Sequence, residues 1–161
     1  MKIRLVAISL VIFVVSCVAA QRAGNTPNKP TIPAATPASD SGTIVPGALD
    51  TEDASAVTVP QTAQVDKEFQ VSVITSGNGC ANKGNTSVVL GEKTADVFIY
   101  DSTSANRPGI MCTMIHKTFD HTATIKFPQP GEAVVRIWAR KHKADLPMGE
   151  PVVIAKTVMI K

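Results

Sequence analysis

Aromatic side chains are scarce in this chain. Five Phe, one Trp and one Tyr make up 4% of its 161 residues, and Phe13 lies in a segment expected to be removed. So few rings cannot line a stacking platform for bases, and they make a poor sugar-binding groove. Charge is scarce as well. Only 18% of the residues are charged, against about 25% in an average soluble domain. Sixteen basic against 13 acidic side chains leave a net charge of +3, too small to point to nucleic acid as a partner. The three histidines, His116, His121 and His142, leave little for acid–base chemistry. There is no Gly-x-Ser-x-Gly elbow and no Cys-x-x-Cys pair for thiol exchange. Gly77-Asn78-Gly79 lacks the strand-to-helix setting of a phosphate-cradling loop. These absences argue against an enzyme, and no cofactor is expected. The longest apolar stretch, from Leu5 to Ala20, stops short of the ~20 residues that span a bilayer.

What is present divides into three parts. Lys2 and Arg4 precede an apolar run from Leu5 to Val15, and small residues Ser16 to Ala20 follow. That is the three-part pattern of a secretory signal peptide. Within it, Val14-Val15-Ser16-Cys17 resembles the lipobox of bacterial lipoproteins. The resemblance implies a signal peptide over residues 1–16, cleavage before Cys17, a diacylglycerol on the Cys17 sulfur and acylation of the new amino terminus. It further implies a bacterial cell-envelope location, at the outer membrane or cell surface, with the membrane as a partner through the lipid. Val18-Ala19-Ala20 also satisfies the small-x-small rule of ordinary signal peptidase. Cleavage before Gln21 is therefore the alternative, and gives a secreted soluble protein.

Residues 17–55 hold Pro27, Pro30, Pro33, Pro37 and Pro46 among Ala, Thr and Ser, without an aromatic residue or a sustained apolar period. Such a stretch buries too little surface to offset its ordering entropy, so a disordered tether is expected. As a flexible coil it reaches roughly 35 Å, and further with its prolines.

From residue 56 to 161 apolar residues recur with period two between turn signals, which reads as an all-β head. Phe69, Val71, Val73 and Thr75 share one face; so do Ala123, Ile125 and Phe127, and Ala133, Val135, Ile137 and Ala139. Strands are expected at 56–60, 68–75, 86–90, 95–100, 110–115, 122–127, 132–141 and 152–160. The last is apolar on both faces, as in a central or bulged strand. Pro128-Gln129-Pro130-Gly131 is a strong turn, with proline fixing one φ and glycine supplying a positive one. Seven or eight short strands without an amphipathic helix argue for a single antiparallel β-sandwich, with a small barrel as the alternative. The strand rhythm and the Pro-Gly corner before an alternating strand resemble bacterial immunoglobulin-like domains. The Cys–Trp–Cys order of antibody domains is absent, since Trp138 follows both head cysteines.

Three sets of side chains are candidate sites. Cys80 and Cys112 are the only cysteines of the head, and in an oxidising compartment such a pair forms a disulfide. Closing a loop of about 30 residues contributes about 3 to 4 kcal/mol. Arg136, Trp138 and Arg140 share one face of a strand, and Lys141-His142-Lys143 continues the positive charge. An exposed Trp between arginines has the composition of a binding hot spot; packing under the arginine stems is the alternative. Met111-Cys112-Thr113-Met114-Ile115-His116, followed by His121, is dense in soft donors. The Cys-x-x-x-His spacing resembles blue-copper proteins, whose sites take two His, one Cys and an axial Met. This chain has no His upstream of 116, and a disulfide-bonded Cys112 is no thiolate. A copper site of Met111, Met114, His116 or His121 survives that objection. The expected function is a non-catalytic envelope lipoprotein whose head binds a protein or an anionic envelope component. Metal handling by the Met/His cluster is the alternative.

Overall fold

The computed structural model describes residues 42–104, 108, 109, 111–142 and 149–161. They form ten strands: β1 (Thr43–Pro46), β2 (Ala48–Leu49), β3 (Val57–Thr58), β4 (Thr62–Ala63), β5 (Phe69–Gly77), β6 (Ala81–Leu90), β7 (Thr94–Thr103), β8 (Lys117–Ile125), β9 (Gly131–Lys141) and β10 (Pro151–Ile160). A single 3₁₀ turn, Ala54–Ala56, is capped by Asp53. The chain is all-β, as its period-two patterning requires. No helix among the described residues is long and apolar enough to cross a membrane.

All ten strands join one curled mixed sheet that closes half of a barrel. On one side β5 pairs antiparallel with β3 and β8. On the other, β7 lies between β6 and β9, β9 pairs with β10 along its whole length, and β10 ends beside β4. The expectation was seven or eight strands, all antiparallel. Three ladders are instead parallel: β7 with β9, β2 with β9 and β4 with β10.

The two sides meet at Gly47. The β7–β9 ladder ends at the Phe98–Trp138 pair, and beyond it the two strands part. β1 runs into this fork antiparallel to β7, the chain bends at Gly47, and β2 leaves beside β9 and β5. Gly47 donates its N–H to the Ile99 carbonyl and accepts from the Arg140 N–H, both at 2.9 Å. It thereby satisfies both arms of the fork. A Cβ at this position would lie 2.7 Å from Thr75 Cγ2, 3.0 Å from Ile99 Cγ2 and 3.1 Å from Asp101 Oδ2, so only glycine fits.

The core sits inside the curl. Val71 and Val73 of β5, Val97 and Ile99 of β7, Ala123 and Ile125 of β8, and Val135 and Ile137 of β9 are buried together with Leu49 and Phe127. Burial of each large side chain contributes roughly 1.5–3 kcal/mol. The faces expected for residues 71–75, 123–127 and 133–139 are the buried ones. Gly131 takes the positive φ that its turn requires, +114°.

Several boundaries require correction. The fold includes residues from Gly42, not Ala56: Val45, Ala48 and Leu49 are buried. The stretch from 42 to 55 is therefore not tether, because its few apolar residues find partners on β5, β7 and β9. Residues 111–116 form no strand. β6 begins at Ala81 and passes through an irregularity between Lys83 and Thr86, which explains why its Gly- and Asn-rich first half reads as loop. β10 is neither central nor bulged. It pairs fully on one side only, and its second face is mostly exposed, with Val153 alone half-buried. The expected signal peptide, Cys17 and the tether as far as residue 41 lie outside the described residues.

Candidate functional site

The outer face of β7 and β9 carries the Arg-Trp-Arg strip. Alternation along β9 turns Ala133, Val135, Ile137 and Ala139 inward, so Arg136, Trp138 and Arg140 point outward. The Trp138 ring stacks on Phe98 at 5.7 Å between centroids. Both groups answer to one carboxylate on the neighbouring strand. Asp96 accepts from Trp138 Nε1 at 2.7 Å and from Arg136 Nη2 at 2.6 Å. The ion pair is partly exposed and so contributes modestly to stability. Its effect is to fix the indole and to neutralise Arg136. Arg140 is half-buried; burial lowers its guanidinium from the ordinary arginine range, and the Asp101 carboxylate opposes that shift. Arg136 and Trp138 are thus brought together on Asp96 rather than as a bare cationic strip, although Arg136 Nε is buried without a hydrogen-bond partner. Asp96, its organiser, gives no sequence signal beyond alternation on the strand opposite.

The disulfide closes between Cys80 and Cys112, with the Cα atoms 5.1 Å apart. It ties segment 111–116, which has no regular pairing, to the start of β6. The Gly79 N–H donates to the Thr113 carbonyl at 3.0 Å, and Lys117 Nζ donates to the Gly79 and Ala81 carbonyls at 3.1 Å. With its backbone held this way, the segment turns its side chains to solvent: Met111 is 94% exposed and Met114 95%. At its end, the His116 ring meets the His142 ring edge-on, 6.1 Å between centroids.

His121 is elsewhere. It follows the inward register of Ala123 and Ile125 and is entirely buried. Nε2 lies 3.0 Å from Asp101 Oδ1 and 3.1 Å from Thr75 Oγ1, and Nδ1 lies 3.3 Å from Thr86 Oγ1. Four strands, β5 to β8, each contribute one member of this network. Asp101 Oδ2 makes no hydrogen bond and is 3.1 Å from the Cβ that Gly47 lacks. A buried imidazole with both nitrogens engaged is not a metal ligand here, so Met111, Met114, His116 and His121 do not form one cluster. Among the described residues, no three His, Cys, Asp or Glu side chains gather as a metal site.

Parity groups Thr75 with Phe69, Val71 and Val73, whereas His121 precedes the strand expected at 122–127 and is expected in the Met/His cluster. Asp101, their partner, fell in an expected loop, and only the continuation of β7 to Thr103 carries it inward. The His116–His142 contact joins positions with no shared pattern. No protein-family model matches the chain, and neither a curated protein nor a solved structure is similar to it.

Proposed function

We propose that this chain is a non-catalytic lipoprotein of a bacterial cell envelope, anchored through Cys17, whose β head is a binding module. The observation that carries the reading is the Cys80–Cys112 disulfide, which suits an oxidising compartment and agrees with the export pattern of the first twenty residues. The binding surface is the outer face of β7 and β9. Phe98 and Trp138 form a fixed aromatic pair there, with Val153 in register beside Trp138. Because Asp96 already balances Arg136, the face favours a protein partner over an anionic polymer. The immunoglobulin-like character of the head belongs to the same proposal. It is supported by the antiparallel β3–β5–β8 and β9–β10 ladders and the Pro-Gly corner before β9. The parallel β7–β9 ladder departs from an all-antiparallel sandwich.

The test is the intact mass of the protein isolated from its own membranes without reductant. The expected mass is that of a chain beginning at Cys17 with acyl groups and one disulfide. A mass beginning at Gln21 without lipid overturns the anchor. For the binding face, Trp138→Ala is expected to weaken association with purified envelope proteins at a temperature where the head, destabilised by loss of the Phe98 stack and the Asp96 hydrogen bond, is still folded by circular dichroism. Unchanged association makes the Phe98–Trp138 pair a structural feature only.

A further inference from the structure

We propose that His116 and His142, with the thioether of Met114, form a surface site for a soft monovalent cation of the Cu(I) class. The two imidazoles come from segments far apart in sequence and are each held by ordered backbone. His142 donates its N–H to the Leu49 carbonyl at 2.7 Å. His116 immediately precedes Lys117, which pairs with Gly77 at the start of β8. Both anchors belong to the ladders that close the fold, so the ring pair is positioned by the sheet.

The spacing fits one ion between the rings. An imidazole bound through one nitrogen at about 2.0 Å has its centre about 3 Å from the metal, so rings on opposite sides of an ion stand about 6 Å apart and rings at a tetrahedral angle about 5 Å apart. The observed 6.1 Å is close to this range, so a small rotation of the rings lets both bind one ion.

The thioethers carry the choice of metal. Methionine ordinarily fills core gaps, yet Met111 and Met114 at 94% and 95% exposure contribute nothing to packing. Thioether donors select Cu(I) over harder cations. Met114 is two residues from His116, so their Cα atoms lie within about 7 Å, inside the reach of the side chain. The disulfide at Cys112 keeps this short segment beside the sheet and also removes both head thiols, Cys80 and Cys112, which would otherwise outcompete it. The site does not depend on the lipid at Cys17 or on the Trp138 face.

The experiment is a Cu(I) titration of the exported protein against a chromophoric chelator under mild reductant, with intact mass confirming a closed disulfide. The H116A/H142A double variant measures binding by the rest of the chain, Cys17 included. Wild type is expected to bind one equivalent beyond that baseline. Either single His→Ala change should lower affinity by about tenfold or more. M114L should weaken Cu(I) binding several-fold, and M111L should leave it unchanged. Wild type indistinguishable from the double variant overturns the site. Zn(II) bound as tightly as Cu(I) overturns the soft-cation assignment. Loss on M111L rather than M114L overturns Met114 as the third ligand.

Discussion

Two buried residues show how much a single position governs in this fold. Gly47 stands where β7 and β9 separate, and its missing Cβ is matched by Thr75, Ile99 and Asp101, all buried. Because none of these can move into solvent, Gly47→Ala is expected to cost about 1–3 kcal/mol by overpacking. That appears as a lower urea midpoint with an unchanged slope. Tyr100 is the only tyrosine of the chain, and burial raises its phenol above the ordinary value of 10.0. The folded state therefore keeps a proton that the unfolded chain releases from about pH 10 upward. It binds more protons than the unfolded state there, so stability is full below that pH and falls as pH rises further. Phenolate absorbance should titrate above 10 in the folded protein and return to the ordinary value in urea, and Y100F should lose the associated part of the alkaline decline.

At the scale of elements, the least regular described segment is also the one with the most external chemistry. Residues 111–116 lack a ladder, yet they are held by the Cys80–Cys112 bridge, the Gly79–Thr113 hydrogen bond and the Lys117 ammonium. The bridge is the strongest of these restraints. A C80A/C112A variant is expected to lose about 3–4 kcal/mol, with hydrogen exchange rising first between 111 and 117 and only later in the β5–β8 ladder. Uniform acceleration across the sheet would mean that the bridge acts on the whole core rather than on this segment. On the outer face of β7 and β9, Asp96 holds Arg136 and Trp138 on one carboxylate. Trp138, backed by the buried Phe98 ring, is therefore held rigidly where it is partly exposed, and rigidity lowers the ordering cost of binding.

The whole molecule closes through its first two strands. Without β1 and β2 the fork between β7 and β9 stays open, and the β3–β5–β8 side loses its strand ladder to the other, keeping side-chain links such as the His121 network. Leu49 is fully buried in the common core, where removing one such side chain alone costs about 2–5 kcal/mol. A chain begun at Ala56 is accordingly expected to show no cooperative thermal transition, whereas the full-length protein unfolds in one step. A sharp transition in the truncated chain would show that β1 and β2 are accessory to the core.

Local alternation was enough to determine the all-β class, the turn at Gly131 and the inward faces of β5, β8 and β9, because successive side chains in a strand point to opposite sides whatever the strand pairs with. The same parity grouped Thr75 with the core face of β5, and an exported chain with two head cysteines made their disulfide expected. Tertiary structure alone decided the rest, since each remaining feature depends on partners distant in sequence. Val45 and Leu49 lie in pieces too short to show a period, and they are core only because β7, β9 and β5 receive them. The parallel β7–β9 ladder, the placement of Asp101 under His121, and the meeting of His116 with His142 are consequences of how the sheet curls. Local propensity carries no record of which strands that curl brings together.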